Sequence, residues 1–300
     1  MPAYMTHALH GEETYQNLAK EKLLETEVHK KQMTTFSLGI DLSCHDYITH
    51  NTKTQDFLLN FIKKVKEEKH IETSDVIAML YGHICHYFLD TNLHPYIYYI
   101  EKGTQKVPGQ FLSSHMLVEG YLSNYFMKER ANESVTTVKA NRFFTNQIGN
   151  TCEEILNAVY QKTYQLENIT RNYRAILTLL LLGETVIKNT PLGNQKLCET
   201  VVSFQRFLKA NELTLEEINN EEHELWKDPV SGFYRTANPM DLYEKSIQDA
   251  IQGIAEVNKY LYGSKSIEAL ELVFPNISYD TGENLNRAQI MQYTRKRTGR

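Results

Sequence analysis

The chain is short of cysteine and has no two cysteines close enough to act together. Cys44, Cys85, Cys152 and Cys198 are widely spaced with no CxxC pair, which suits free thiols in a reducing compartment and excludes a zinc-thiolate site. Cys85 adjoins His86, but neighbouring residues on a helix point in different directions, so this is no thiol–imidazole pair. Long apolar runs are missing too. A membrane span needs roughly 18 apolar residues, and the best candidate, Ile176 to Leu182, is far shorter and reads as a buried helix, so no transmembrane segment is expected. The first residues lack the basic-then-apolar order of a secretory signal, which points to a cytoplasmic protein. An excess of positive charge is also absent. With 32 basic and 37 acidic residues the formal charge is -5, so no stable nucleic-acid complex is expected. Only Arg295 to Arg300 is locally basic, and it reads as a solvated tail.

Neither an internal repeat nor a sustained alternation of apolar and polar residues interrupts the chain, and this leaves helices. Apolar residues recur at helical spacing over Glu12 to Lys30, Thr52 to Glu68, Asp75 to about Asp90, Phe111 to Glu129, Lys139 to Thr163, Glu167 to Lys188, Asn194 to Ala210 and Leu242 to Tyr262. Loops are expected at Pro191-Leu192-Gly193, Pro229 to Gly232 and Pro239. The fold class is all-α. Residues 1–300 read as a single domain, with the chemistry in 1–129 and core-completing helices in 130–280.

The chemistry centres on Tyr81 to Pro95. His83, His86, Asp90 and His94 are all potential metal ligands, and the first three share one helical face. Pro95 removes a backbone donor and restricts the residue before it, so the helix is expected to end near Leu93 and to deliver His94 in a loosened backbone. Tyr96 to Ile100 then forms an extended or partly helical lining. Other segments offer further donors. His7 and His10 share a face if the first helix begins early. The loop from Asp41 to Asn51 offers Asp41 or Asp46 as an oxygen ligand and His45 or His50 as a nitrogen ligand, with Gly39 permitting a tight bend before it. His115 and Glu119 lie four apart among apolar residues, where an unpaired buried glutamate is costly and a metal partner accounts for it. His223 stands alone in an acidic run and reads as solvated.

Nitrogen and oxygen donors without cysteine suit zinc better than calcium or magnesium. The donors exceed what one tetrahedral zinc can use, and paired metals suit displacement at phosphorus. A phosphodiester or phosphomonoester is the natural substrate class.

Taken in order, Thr6-His7, Gly39-Ile40-Asp41, His50-Asn51-Thr52-Lys53-Thr54, His86-Tyr87-Phe88-Leu89-Asp90, His94-Pro95-Tyr96 and His115-x-x-x-Glu119 resemble the zinc-dependent phospholipase C family. Its bacterial members share an all-helical trinuclear zinc fold with the P1-type nucleases. The likeness continues more loosely through Trp226 to Pro229 and Met240 to Tyr243. The resemblance implies two to three Zn2+ ions. Asp41, His50, His86 and Asp90 would hold one, His94, His115 and Glu119 a second, and Asp90 with His7 a third. Secreted members complete the third site with a terminal tryptophan, which this chain lacks, Trp226 being its only one. His10, His83 or a water would have to replace it there.

The implied mechanism is attack on phosphorus by a zinc-bound hydroxide, with Asp41 orienting it and Asp90 holding the metals in register. Lys53 is the nearest conspicuous cation to the motifs. The expected substrate is a phospholipid or small phosphodiester, with Tyr96 to Ile100 as an apolar mouth. The competing readings are a cytosolic phosphodiesterase or nuclease on a soluble substrate, a non-enzymatic metal-stabilised domain with closed coordination, and a plain helical scaffold with incidental histidines.

Overall fold

The computed structural model describes residues 2–24, 27–67, 74–110, 112–189 and 191–295, and leaves the side chains of residues 2–3 and 184–198 aside. Among these residues the chain is all-α, as its periodicity predicts. The helices are α1 (Pro2–Lys20), α2 (Lys30–Phe36), α3 (Asp46–Asn51), α4 (Thr54–Glu67), α5 (Ser74–Lys102), α6 (Ser114–Ala131), α7 (Ala140–Phe143), α8 (Asn150–Tyr164), α9 (Ile169–Asn189), α10 (Pro191–Ala210), α11 (Leu215–Asn219) and α12 (Pro239–Leu261). A 3-10 turn, Gly39–Ser43, joins α2 to α3. One short antiparallel ribbon, Trp226–Lys227 against Tyr234–Arg235, was not expected from the sequence. No helix among the described residues is long and apolar enough to cross a membrane.

Helix α5 is the axis of the molecule. It packs against α1, α2, α4, α6 and α12, and most of its residues are buried on every side. A helix apolar all round belongs in a core, where a single polar face is not needed. Around it, termini are fixed by local chemistry. Asn238 caps α12 in a reciprocal box with Asp241, and Pro239 supplies a first residue that has no amide to satisfy. Ser113 accepts from the Met116 amide to start α6, and Asn132 ends it in the left-handed region.

Several boundaries differ from the sequence expectation. The first helix begins ten residues earlier than Glu12, at Pro2, and ends at Lys20, after which Lys22 turns with φ +57. This places His7 and His10 on one helix. Pro191 opens α10 instead of lying in a loop. The larger difference is that α5 runs on through Pro95 to Lys102. A proline inside a helix costs about 3 kcal/mol, whereas each fully buried apolar side chain contributes about 1.5–3 kcal/mol. Leu93, Tyr96, Ile97 and Ile100, around and beyond the proline, are all buried, and their burial outweighs the lost bond. The expected solvated tail lies outside the described residues except for Arg295, which is buried and donates to the carbonyls of Asn211 and Glu212 and to Glu217 Oε1.

Candidate metal centre

Five elements deliver donors to one region beside the middle of α5. His86, Asp90 and His94 rise along successive turns of α5 itself. The 3-10 turn brings Asp41, α3 brings His50, α6 brings His115 and Glu119, and α1 brings His7. The turn is made possible by Gly39, whose φ is +51 and whose absent side chain leaves room for His86. A Cβ there would stand 2.2 Å from the imidazole Cγ.

Two groups of donors result, each with atoms within 4.8 Å of one another: Asp41, His50, His86 and Asp90, and His94, His115 and Glu119. In the first, His50 Nε2 is 3.1 Å from Asp41 Oδ1 and 3.6 Å from Asp90 Oδ2, and His86 Nε2 is 3.8 Å and 3.2 Å from the same oxygens. In the second, His94 Nε2 and His115 Nε2 each lie 3.1 Å from Glu119 Oε1. Zinc bonds of about 2.0–2.2 Å arranged tetrahedrally separate neighbouring donors by about 3.3–3.5 Å, so both groups have the right dimensions. Asp90 presents its other oxygen, Oδ1, to His7 Nε2 at 3.2 Å, and Asp41 Oδ2 is 3.9 Å from the same nitrogen.

The outer ring nitrogens decide which atom faces inwards. His50 Nδ1 donates to the Asp46 carbonyl at 2.9 Å and His94 Nδ1 to the Tyr279 carbonyl at 3.0 Å. Each Nε2 is then directed at a carboxylate, and a neutral ring would set lone pair against lone pair. A cation must lie between them, either a proton or a metal ion. Without a metal the proton takes that place. Burial opposes charge on His94 and His115, but Asp90 and Glu119 carry His94 up to about 9, and Glu119 with Glu101 carries His115 up to about 10. Burial likewise raises the carboxyls, yet His86 and His50 hold Asp41 below its usual range, and His115 and His94 hold Glu119 well below. His86 is the exception, since burial takes it down to about 4 against the pull of Asp90 and Asp41. Both its nitrogens, His7 Nδ1 and Asp90 Oδ2 are buried without a hydrogen-bond partner. Such atoms cost about 1–3 kcal/mol each, and a zinc ion among them would satisfy His86 Nε2 and Asp90 Oδ2. The donor set and its unmet atoms fit zinc.

Between the groups lies a cavity of about 20 Å3, bounded by His7, Asp90, His94 and Glu119 and walled by Leu89, Leu93, Ile97 and Leu122. It has room for roughly one water.

All eight candidate ligands from the sequence are thus in one region, with His7 reaching the first group through Asp90. Four other candidates are not part of either group. His83 Nδ1 donates to the Met79 carbonyl at 2.9 Å and its Nε2 pairs with the Tyr173 hydroxyl at 3.1 Å, which makes it a satisfied core histidine among Phe36, Phe57 and Phe61. His10 is wholly buried against the Tyr243 ring, and neither of its ring nitrogens has a hydrogen-bond partner. His45 Nδ1 bonds to the Ser43 carbonyl, and Asp46 contributes its carbonyl to His50. Lys53 donates to the Thr163 carbonyl. Tyr96 to Ile100 does not form an exposed mouth. Tyr96, Ile97 and Ile100 are buried, and Tyr98 lays its ring on His115 at 4.7 Å. Tyr279 and Glu101, both adjacent to the donors, carry no signal in the sequence that singles them out.

A family model described as zinc dependent phospholipase C matches residues 6–162, a stretch that contains every one of these donors. No curated protein and no solved structure matches the chain.

Proposed function

Since the chain belongs to the zinc-dependent phospholipase C family, we propose that this zinc-dependent hydrolase works as one domain over residues 1–300 and cleaves a phosphodiester in the manner of a phospholipase C. Two to three zinc ions are assigned to Asp41, His50, His86 and Asp90, to His94, His115 and Glu119, and to His7 with Asp90. The observation that carries this reading is the spacing of donor atoms, 3.1 to 3.9 Å across three facing sets, two of which share Asp90.

When bound, zinc supplies Lewis acidity towards a phosphoryl oxygen and makes a coordinated water acidic near neutral pH. Asp41 is the more exposed carboxylate of the first group, 21% against 3% for Asp90. It therefore orients the attacking water and accepts a hydrogen bond from it. Asp90, buried with one oxygen towards His50 and His86 and the other towards His7, holds the sets in register. His50 and His94, locked by the carbonyls of Asp46 and Tyr279, keep their Nε2 atoms aimed inwards.

The substrate side favours a phospholipid or small phosphodiester over long nucleic acid. The lining of that cavity includes no lysine or arginine, and a polyanion is held by basic grooves with stacking platforms. Tyr47 and Ile48, exposed on α3 just before His50, offer an amphipathic edge suited to a lipid surface.

The test is zinc analysis of protein purified without added metal, followed by assay of a nitrophenyl-phosphorylcholine, phosphatidylcholine micelles, single-stranded DNA and small phosphodiesters. We expect two to three zinc ions per chain, chelator-sensitive hydrolysis of the activated diester, and turnover of the micelles. Fully folded protein with at most one zinc would overturn the multinuclear site. Turnover of nucleic acid or nucleotides alone would overturn the phospholipase reading and leave the metal chemistry intact.

A further inference from the structure

His50, His94 and His115, which face carboxylates from α3, α5 and α6, are not supported alike from behind. His50 and His94 give their Nδ1 protons to main-chain carbonyls. Among the described residues His115 Nδ1 has no carbonyl as a partner. It is buried with no hydrogen-bond partner, and the atom facing it, Glu101 Oε2 at 3.7 Å, is buried without a partner as well. Two buried polar atoms of complementary type, each otherwise unmet, face one another across a gap only about 0.7 Å longer than a hydrogen bond.

We propose that Glu101 is the positioning carboxylate of His115, and that it sets the affinity of the His94, His115 and Glu119 site for zinc. The proposal rests on the assignment of zinc to that site. With His115 Nε2 directed at Glu119 Oε1, 3.1 Å away, a ring bound through Nε2 must carry its proton on Nδ1. That proton has Glu101 as its acceptor. A carboxylate behind a ligand histidine fixes the tautomer and makes the ring a stronger donor than a carbonyl does, and loss of such a partner typically weakens metal binding by about 10–100-fold. Tyr98, one turn before Glu101 on α5, holds the ring plane with its own ring at 4.7 Å and 39°. The second oxygen of Glu101 lies 3.6 Å from Lys102 Nζ, an outward-facing contact on the half-exposed side. Only the inner oxygen is directed at the site. The arrangement exists because α5 continues past Pro95, since Glu101 lies in the last turn of that helix.

Glu101→Gln preserves shape and removes the charge, and Glu101→Ala removes the side chain as a second variant. Zinc affinity is measured by chelator competition on the full chain, alongside the melting temperature of metal-free protein and the 15N–1H signal of the His115 Nδ1 proton in the zinc-loaded state. The expected result is one zinc held about 10–100-fold more weakly in both variants, with the His115 signal moved upfield and the metal-free melting temperature of Glu101→Gln unchanged. Lys102→Ala, which touches only the outer oxygen, is expected to bind zinc as the parent does. Parent-like affinity in both Glu101 variants overturns the proposal while leaving the zinc assignment standing. A parent chain that binds no zinc overturns both, and is told apart by that measurement alone.

Discussion

At the scale of single residues the distinction that matters is between a buried histidine whose Nε2 faces a carboxylate, as in His86, and one whose nitrogens meet a carbonyl and a hydroxyl, as in His83. His83 and His86 are three apart on the same helix, and sequence spacing puts His83 on the face of Asp90 as well. Seven residues of helix, however, is about 10.5 Å of rise, and at that distance His83 meets Tyr173 and three phenylalanines instead of the carboxylates. Its burial pulls it down to about 3, as suits a neutral core ring. The two kinds of residue should separate cleanly on substitution. His83→Ala removes packing and a buried hydrogen bond, so a loss of about 2–5 kcal/mol in stability is expected, with zinc content and kcat retained below the melting transition. Asp90→Asn is nearly isosteric but loses a charge that faces His7, His50 and His86, so zinc content and kcat should both fall, the latter by at least about 10²-fold. Metal analysis and kinetics on both variants decide the matter. Full activity in Asp90→Asn would defeat its bridging role.

At the scale of elements, the donors were legible because their chemistry is carried by side chains at helical spacing, and the turns that aim them were legible only in part. Gly39 announces a bend, yet nothing in the sequence says that the space it leaves is filled by His86. Its φ of +51 and the 2.2 Å approach of a hypothetical Cβ to the imidazole make this glycine a requirement of the site as well as of the turn. In Gly39→Ala the strain of a left-handed alanine, about 1–2 kcal/mol, is joined by a clash that relaxes only by moving His86 or the turn bearing Asp41. Zinc at the first site is expected to drop out of the protein in proportion, while the second site, built on α5 and α6, keeps its metal. Stoichiometric zinc in Gly39→Ala would show that the turn has slack. Pro95 is the opposite case. As a local rule it ends a helix, and the rule fails because the burial of Leu93, Tyr96, Ile97 and Ile100 is a tertiary effect invisible to it. Misplacing that one boundary also hides Glu101 and the approach of Tyr98 to His115.

At the scale of the whole molecule, the donors all lie within the first 119 residues, but the candidate metal centre is closed by a segment more than 150 residues later. Tyr279 accepts from His94 Nδ1, donates its amide to the His50 carbonyl at 3.0 Å, and packs its ring against His50 and His86, both at 5.6 Å. Ser278 donates to Asn51 Oδ1, and Asn51 Nδ2 in turn donates to Asp280. No pattern in the sequence reveals this, because the bond to His94 comes from a main-chain carbonyl that any residue could supply. The segment is seated by Gly282, with φ +66, directly over Thr91, whose carbonyl loses its helical partner to Pro95, and a Cβ at that glycine would come within 2.7 Å of the Thr91 oxygen. Gly282→Val should therefore lift the segment from α5 and take the Tyr279 carbonyl away from His94. Loss of a hydrogen-bond partner behind a metal ligand corresponds to about 10–100-fold in affinity, so zinc binding in Gly282→Val should weaken by that order, together with a lower melting temperature from the strained turn. The two effects are separable by chelator competition well below the melting transition. If zinc affinity there equals that of the parent while the melting temperature falls, the segment merely packs against the centre, and the orientation of His94 must come from α5 alone.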